Sequence, residues 1–175
     1  TEAYDDYVRR GGAEFSSIAR MCFHQPFTKM AAKAMQTLAK HAGAQSVASA
    51  VSSLEETMIH NRRLGNTYTA SVYMGLLSLL ENAELGAGER IGIFSYGSGA
   101  VAEFFAGTLV EGYREHVRPG ALTAQLDARR EIGYEEYRER HIRADRTGDY
   151  ETRAEGEGPF RLAGVRESVR VYEKA

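Results

Sequence analysis

The first third of the chain alternates apolar and polar positions with helical spacing. Residues 2–20 predict two short helices separated by a Gly-Gly pair, because apolar residues recur three and four positions apart. Thr28 is predicted to cap a helix over residues 29–41, whose lysines lie on its polar face. A longer helix is predicted from roughly Ser46 to Leu64 by the same spacing. The chain therefore opens with a mainly helical region.

The middle of the chain is more apolar. The segment ASVYMGLLSLLENA, residues 70–83, is apolar on most sides and carries small residues, which predicts a helix buried all round and packed closely against a neighbour. The run RIGIFSY, residues 90–96, is continuously apolar and contains β-branched residues, which predicts a central strand. The next segment, AVAEFFAGTLVEGY at residues 100–113, has a pattern that fits either a helix or a strand.

The last third is more polar. Residues 117–141 are charged and predict mostly helix, and residues 143–158 are polar and rich in glycine, which predicts a loop excursion. The final segment, residues 159–175, predicts a hairpin or two short strands. Its inward-facing residues are expected to be Phe160, Leu162, Val165, Val169 and Val171. This succession of helices and strands is typical of an α/β layered fold, either a single domain or a large half of a protein built from two similar halves.

Composition and charge exclude several classes of protein. The 175 residues are 43% apolar and 26% charged, with a net charge of −2, whereas proteins that bind nucleic acids or membrane surfaces are usually basic. The single cysteine rules out an internal disulfide and gives no metal-ligand spacing, which points to a reducing, cytoplasmic location. No signal peptide or membrane-spanning run is evident. Because the chain begins at Thr1 within a predicted helix, we interpret it as a fragment or a processed chain.

The stretch MCFHQPFTKM, residues 21–30, combines a thiol with an imidazole. In a strand, Cys22 and His24 would point to the same face, as a catalytic nucleophile and its base would require. Nothing next to Cys22 supplies a positive charge or a helix N-terminus to lower its pKa, so a small buried residue is the better interpretation. His24 is different, because it lies between apolar, conformationally restricted neighbours. A buried structural histidine remains the general expectation for such a residue.

Two other features suggest sites less strongly. SYGSGAVA, residues 95–102, contains the spacing G-x-G-x-x-A of dinucleotide-binding turns, but no βαβ repeat precedes it and no acidic residue follows near position 117. It is not a hydrolase nucleophile elbow either, because Tyr96 stands where that motif needs glycine. The remaining histidines are predicted to lie at the surface; they are His41, His60, His116 and His141.

Polar residues gather at the ends of the apolar segments, where α/β proteins place their sites. They are His24, Asn66, Tyr68, Tyr96 and Ser98. From the residues alone, this set indicates a pocket that handles an acyl or carbonyl group.

Three blocks in these same regions carry a family resemblance. CFHQPFTKM, GNTYTASVY and RIGIFSYGSGAVAEFFAGTLVEGY resemble the C-terminal half of 3-hydroxy-3-methylglutaryl-CoA synthases, which belong to the thiolase superfamily. The resemblance covers nearly the whole chain and implies a thiolase-like, layered α-β-α fold over residues 1–175. It also implies that AVAEFFAGTLVEGY is largely strand and that the helix at 70–83 packs in the interior of the complete fold.

The resemblance implies an activity and a set of site residues. The family condenses acetyl-CoA with acetoacetyl-CoA through an acetyl-cysteine intermediate, with CoA thioesters as substrates and no cofactor or metal. His24 is then the catalytic histidine, Asn66 its neighbour in binding the developing oxyanion, and Ser98 and Tyr96 line the pocket. Tyr68 helps to shape that pocket, and Lys29 is placed to meet the CoA moiety. His24, Asn66 and Ser98 are therefore expected to converge.

The family's nucleophilic cysteine and its glutamate base belong to the N-terminal half, and Cys22 is not that nucleophile. The expected partners are therefore a half that carries the cysteine and, for the complete enzyme, a second copy in a homodimer. Two alternatives stay open. One is an HMG-synthase-like enzyme of polyketide β-branching that uses a carrier-protein-bound acceptor, although the intact Thr28-Lys29-Met30 favours the mevalonate-pathway enzyme. The other is a catalytically inert half that acts only as an interaction module.

Overall fold

The computed structural model describes residues 1–144, 147–152 and 158–174. They form two compact units, Thr1–Ala128 and Arg129–Ala175. Each unit has its own sheet, and each is described by itself below.

The first unit is built on a three-stranded sheet in the order β1-β2-β3. Strand β1 (Arg20–Phe23) pairs in parallel with β2 (Arg90–Gly97), which pairs antiparallel with β3 (Val101–Thr108). The predicted strand RIGIFSY is therefore confirmed, and so is the strand within AVAEFFAGTLVEGY. The turn after β2 leads directly into β3 instead of into a helix, which removes the basis for a dinucleotide-binding turn.

One face of this sheet is covered by α1 (Glu2–Arg9) and α2 (Thr28–His41). Met21 and Phe23, alternate residues of β1, enter the hydrophobic cluster on this side. The second predicted helix of residues 2–20 is reduced to one 3₁₀ turn at Phe15–Ser17. The prediction that Thr28 caps α2 was wrong, because Phe27 occupies the N-cap position and Thr28 is already helical.

The opposite face of the sheet is covered by α5 (Ala70–Asn82), which packs on β1 and β2. Cys22 points to this side and joins a hydrophobic cluster with residues of α5 and β2. The small residues Ser71, Gly75 and Ser78 are buried, as close packing requires. The prediction that this helix is buried all round was wrong, since the Tyr73 side chain is 52% exposed. The first unit is thus a layer of helices, a sheet and a further helix.

The predicted long helix over 46–64 was also wrong. The segment forms α3 (Val47–Ser52), α4 (Glu55–Met58) and a 3₁₀ turn at Asn61–Arg63. At the break the hydroxyl of Ser53 donates to the backbone carbonyl of Ala50, a local bond that competes with helical pairing. Breaking the helix there allows Leu54 to be fully buried. Tertiary burial and side-chain hydrogen bonding therefore override the apolar spacing.

The first unit ends with α6 (Tyr113–His116) and α7 (Ala121–Asp127), and the second begins with α8 (Tyr134–Ala144). Helices α7 and α8 agree with the predicted helical character of residues 117–141, and α6 precedes that range. The second unit's antiparallel sheet has the order β4-β5-β6, formed by Tyr150–Glu151, Phe160–Arg166 and Val169–Lys174.

The second unit corrects two sequence-based expectations. Phe160 and Val169 were predicted to face inward, but they are 65% and 63% exposed. Within the predicted excursion at 143–158, α8 extends to Ala144 and β4 pairs with β5; residues 145–146 and 153–157 lie outside the described residues. Among the described residues, no helix is both long and apolar enough for a membrane span, and no cluster of metal-binding side chains occurs.

Candidate functional site

His24 lies immediately after β1, at the edge where the parallel strands β1 and β2 end. Its backbone N–H donates to the Phe94 carbonyl oxygen at 2.8 Å, so the parallel pairing continues to this residue. Its half-buried ring lies 6.0 Å from the ring of Tyr96, between centroids. Carboxyl ends of parallel strands are the usual place for sites in α/β folds. The structure therefore brings together two of the predicted site residues, His24 and Tyr96.

A serine of α5 contacts the imidazole through one of its ring nitrogens. The Ser71 Oγ atom lies 3.2 Å from His24 Nδ1 and accepts a hydrogen bond from the backbone N–H of Gln25 at 2.8 Å. Ser71 is fully buried. Because Gln25 follows His24 in the chain, one hydroxyl contacts both the catalytic candidate and its neighbour. This arrangement fixes the exit of β1 against the first turn of α5.

Buried amides support this contact. The Asn61 Nδ2 group donates to the Ser71 carbonyl oxygen at 3.0 Å, and Gln25 Nε2 donates to the Thr57 carbonyl oxygen at 3.2 Å. A Cβ at Gly75 would lie 3.1 Å from Gln25 Nε2, so glycine at this position lets the Gln25 side chain lie against α5. The two amide nitrogens are thus paired, whereas Gln25 Oε1 and Asn61 Oδ1 are buried with no hydrogen-bond partner in the described residues. The paired nitrogens help to hold this part of the site in one geometry.

Burial lowers the pKa of His24 below its ordinary value, because desolvation penalises the charged imidazolium. The ring is therefore neutral near physiological pH and offers one N–H donor and one acceptor nitrogen. Its Nδ1 lies against Ser71, and Nε2 has no hydrogen-bond partner in the described part of the chain. A neutral N–H donor in a half-buried position suits an oxygen that gains negative charge.

Cys22 lies on the same face of β1 as His24 but beneath the site. Its side chain is fully buried, and desolvation raises the pKa of its thiol to about 12. A thiolate is the nucleophilic form of cysteine, so this residue stays unreactive near neutral pH. The prediction that Cys22 is a small buried residue is confirmed.

Asn66 and Tyr68 lie in the loop that leads into α5. The Asn66 Oδ1 atom accepts a hydrogen bond from the Tyr68 backbone N–H at 2.8 Å, which closes a local turn. Tyr68 has a φ of 53°, in the left-handed region, and its ring is 74% exposed. Strained backbone in such loops is common near functional sites. Among the described residues no hydrogen bond joins Asn66 to His24, so their convergence stays a prediction.

Ser98 and Lys29 occupy two further places around the same edge. Ser98 is exposed in the turn between β2 and β3, two residues beyond Tyr96. Lys29 is exposed in the first turn of α2, which starts four residues after His24. Neither side chain contacts the His24 ring through a hydrogen bond in the described residues. Their predicted roles in binding substrate therefore stay predictions too.

The prediction of a surface position was wrong for His60. The side chain is only 1% exposed, and its Nε2 lies 2.7 Å from Glu81 Oε2, whose side chain is 4% exposed. The charged neighbours in sequence suggested a solvated residue, but burial of the α4–α5 contact and the carboxylate partner explain the difference. His41 is more exposed and pairs with Asp5, while His116 and His141 are exposed.

Sequence reasoning missed Ser71 and Gln25 as site residues. A serine in an apolar helix is typical of close packing, and the sequence gives Gln25 no distinguishing feature beyond the proline that follows it. The signal that could have found Ser71 is its position in the first turn of the helix, directly after the polar segment that contains Asn66.

Comparison with known proteins identifies relatives. A family model described as the hydroxymethylglutaryl-coenzyme A synthase C terminal matches residues 39–154. The chain is 40% identical over 172 residues to hydroxymethylglutaryl-CoA synthase from Enterococcus faecalis, across 98% of this chain and 45% of that protein. It is 26% identical over 142 residues to the polyketide biosynthesis 3-hydroxy-3-methylglutaryl-ACP synthase PksG of Bacillus subtilis, across 78% of this chain and 34% of that protein.

Solved structures give a matching result. An HMG-CoA synthase complexed with CoA has a TM-score of 0.78 at 34% identity, over 98% of this chain and 45% of that one. The smu.943c protein of Streptococcus mutans has a TM-score of 0.84 at 34% identity, over 99% and 48%. PksG has a TM-score of 0.85 at 23% identity, over 99% and 48%, and supports the fold alone. The predicted fold class, the C-terminal half of a thiolase-like layered fold, is confirmed.

The chain spans less than half the length of the curated relatives named above. The blocks around His24, Asn66 and Ser98 lie within the stretch shared with the Enterococcus faecalis protein, which includes nearly all of this chain. The family model covers most of the residues from α2 to β4. This chain therefore belongs to the hydroxymethylglutaryl-CoA synthase family and corresponds to the C-terminal part of its members.

Proposed function

We propose that this chain supplies the acceptor-binding half of a hydroxymethylglutaryl-CoA synthase. The complete enzyme condenses acetyl-CoA with acetoacetyl-CoA, through an acetyl-cysteine intermediate, to give HMG-CoA and free CoA. The observation that carries the proposal is His24. Its neutral ring stands at the ends of β1 and β2, with Nδ1 against Ser71 and Nε2 free of protein partners in the described residues.

The chemistry requires a donor of this kind. When the acetyl carbanion attacks the acceptor carbonyl, negative charge develops on the carbonyl oxygen. A fixed N–H donor in a half-buried site stabilises that charge more strongly than mobile water does. The proposed role of His24 is therefore to bind and polarise the acetoacetyl thioester, and Tyr96 forms the adjacent wall of the pocket.

The other assigned residues complete the acceptor site. Asn66 contributes a second donor to the oxyanion, Tyr68 shapes its loop, and Ser98 lines the pocket from the turn after β2. Lys29, exposed at the start of α2, meets the phosphate-bearing CoA moiety by charge attraction. No cofactor or metal takes part in this scheme, because the thioesters carry the activated carbons.

The nucleophilic cysteine and the glutamate base come from an N-terminal half. Cys22 is unsuited to the role of nucleophile, since its thiol is buried and has a pKa of about 12. We infer a homodimer of the complete enzyme, working in the cytoplasm on the mevalonate pathway.

The test is reconstitution with a relative. The 175-residue chain is co-expressed with the N-terminal half of the Enterococcus faecalis protein, and the purified pair, called here the reconstituted enzyme, is assayed for release of CoA and formation of HMG-CoA. Formation of HMG-CoA from both thioesters supports the proposal. Assembly of a stable pair that acetylates its cysteine but never condenses would contradict it.

A second candidate function differs in the acceptor. The 26% identity to an ACP synthase favours an enzyme of polyketide β-branching that takes a carrier-protein-bound acetoacetyl group. The 40% identity to a CoA synthase favours free acetoacetyl-CoA. Competition decides between them: the reconstituted enzyme is given equal amounts of acetoacetyl-CoA and acetoacetyl-carrier protein, and the ratio of the two products identifies the preferred acceptor.

A third interpretation makes the chain an inert interaction module. It predicts that the chain co-purifies with a partner but that His24→Ala changes no reaction rate. The same reconstitution therefore separates an active half from an inert one.

A further inference from the structure

The Ser71 hydroxyl has one proton and two hydrogen-bonding neighbours, the Gln25 backbone N–H and His24 Nδ1. Its oxygen already accepts the Gln25 backbone N–H at 2.8 Å, and a backbone N–H cannot accept a proton in return. The remaining contact is His24 Nδ1 at 3.2 Å. Either the hydroxyl donates to a bare Nδ1, or a protonated Nδ1 donates to the hydroxyl oxygen.

Burial decides between these arrangements. If Nδ1 donated, the hydroxyl proton of Ser71 would have no acceptor among the described residues, in a side chain with 0% exposure. Leaving a buried donor without an acceptor is unfavourable. If the hydroxyl donates, every polar atom of this contact is satisfied, and the proton of the neutral ring resides on Nε2.

The hydroxyl is itself held in place. The Asn61 amide anchors the Ser71 carbonyl at 3.0 Å, and Gln25 is tied to both α5 and α4. The Ser71 hydroxyl is therefore a donor held in one position rather than one whose side chain rotates freely. A fixed donor at Nδ1 sets both the tautomer and the plane of the imidazole.

We propose that Ser71 is a positioning residue, which donates to His24 Nδ1 and so holds the neutral imidazole with its proton on Nε2. A further step of the inference rests on the proposed function: the Nε2–H is the donor to the acceptor's oxygen. Gln25 contributes through its backbone, because its N–H occupies the hydroxyl oxygen and leaves the hydroxyl proton for the ring.

The first measurement needs no substrate. The reconstituted enzyme is labelled with ¹⁵N histidine in this chain, and His24 is assigned by the loss of its signals in His24→Gln. Above the pKa of His24, a pyridine-like Nδ1 and a pyrrole-like Nε2 support the proposal. A pyrrole-like Nδ1 overturns it, because Ser71 would then only accept.

The second measurement uses Ser71→Ala, which removes the donor, and Ser78→Ala as a matched control. Ser78 is also a fully buried serine of α5, but its hydroxyl donates to the Glu56 carbonyl, away from His24. We expect Ser71→Ala to lower kcat for condensation by roughly 10- to 100-fold, as misplacement of a reacting group does. The KM for the acceptor and the rate of cysteine acetylation should change little, and Ser71→Thr should recover some of the lost kcat.

The outcomes separate the two proposals. A loss of kcat in Ser71→Ala no larger than in Ser78→Ala overturns the positioning role. If the pair makes no HMG-CoA although His24 shows the Nε2–H tautomer, the proposed function fails and the role of Ser71 in fixing the tautomer stands. If the pair is active but Nδ1 carries the proton, the inference about Ser71 fails alone.

Discussion

The two ends of helix α5 each hold a histidine, and they hold it differently. Near the start of the helix, Ser71 offers a hydroxyl to His24, whose ring is half-buried. Near its end, Glu81 offers a carboxylate to His60, whose side chain is 1% exposed. The first partner is neutral and leaves one ring nitrogen available. The second partner is charged and is itself almost completely buried.

This difference separates the proposed catalytic histidine, His24, from a structural one, His60. His60 donates through Nε2 to the carboxylate, and its Nδ1 is buried with no partner in the described residues, so no face of the ring is open to a ligand. Among the described residues, the His24 ring forms its hydrogen bond to the protein through Nδ1 and leaves Nε2 without a partner. The partial burial of His24 lowers its pKa and favours the neutral ring. The comparison makes four predictions, from the largest expected effect to the smallest.

The largest effect is expected for the free energy of unfolding when the buried His60, near the end of α5, is removed. His60→Ala leaves the Glu81 carboxylate buried without its partner, and breaking a buried pair in this way costs about 3–5 kcal/mol of the free energy of unfolding. Urea unfolding of the reconstituted enzyme, followed by circular dichroism, measures it.

The control is a second histidine–carboxylate pair with the same separation. His41 Nε2 also lies 2.7 Å from a carboxylate oxygen, of Asp5, but the two side chains are 41% and 44% exposed. His41→Ala should cost only about 0–1 kcal/mol, because water already solvates both groups. Equal losses in the two variants would show that burial is not what sets the role of His60.

The next effect concerns the rate of condensation, which should depend on His24 near the start of α5. His24→Ala in the reconstituted enzyme should slow condensation by about 10²–10³-fold, or about 2.7–4 kcal/mol, because it removes an oxyanion donor. Acetylation of the partner's cysteine should continue at nearly its normal rate. Single-turnover assays with labelled acetyl-CoA measure the two half-reactions separately. Equal loss of both would make His24 the base for the nucleophile instead.

The sequence predicted the strands and the helix around His24 better than it predicted the hydrogen bonds that His24 makes. Strands β2 and β3, helix α5 and the residues flanking β1 followed from apolar patterns and from the family resemblance, because these depend on neighbours in sequence. Ser71 was missed because its partner is 47 residues away along the chain, and no pattern within one helix reveals it. The break after Ser52 was missed because it depends on where Leu54 is buried.

His60 shows the same limit from the other side. Its neighbours in sequence are polar, so a local pattern predicts exposure. Its burial depends on Glu81, which lies 21 residues later and one helix away. Patterns of residues therefore located the elements of the site, while the pairs that give each histidine its role depend on tertiary packing.

A smaller effect is expected in the pH profile. Burial lowers the pKa of His24, so the neutral donor persists below the ordinary value of about 6.5. Condensation should therefore lose rate only when the pH falls through this lowered pKa.

The same pKa shift affects stability. The unfolded chain binds the proton more readily, so the contribution of His24 to folding stability is present above about 6.5 and declines as the pH falls below it. An acid limb of kcat that lies above about 6.5 in the reconstituted enzyme would contradict the assignment to His24.

The smallest effect is expected at Cys22, where we predict no reaction at all. The thiol lies on the same face of β1 as His24, yet it is fully buried and its pKa is about 12. At a neutral pH the fraction present as thiolate is negligible, and acetyl transfer to cysteine requires the thiolate. The 175-residue chain alone, incubated with radiolabelled acetyl-CoA and then denatured, should therefore carry no covalent label, whereas the reconstituted enzyme should carry it on the N-terminal half. Cys22→Ala in the reconstituted enzyme should label to the same extent as the unaltered pair, which controls for adventitious modification. Stoichiometric label on Cys22 would instead show that Cys22 and His24 form a nucleophile–base pair. The Cys22 thiol, rather than the Ser71 hydroxyl, would then be what distinguishes His24 from His60.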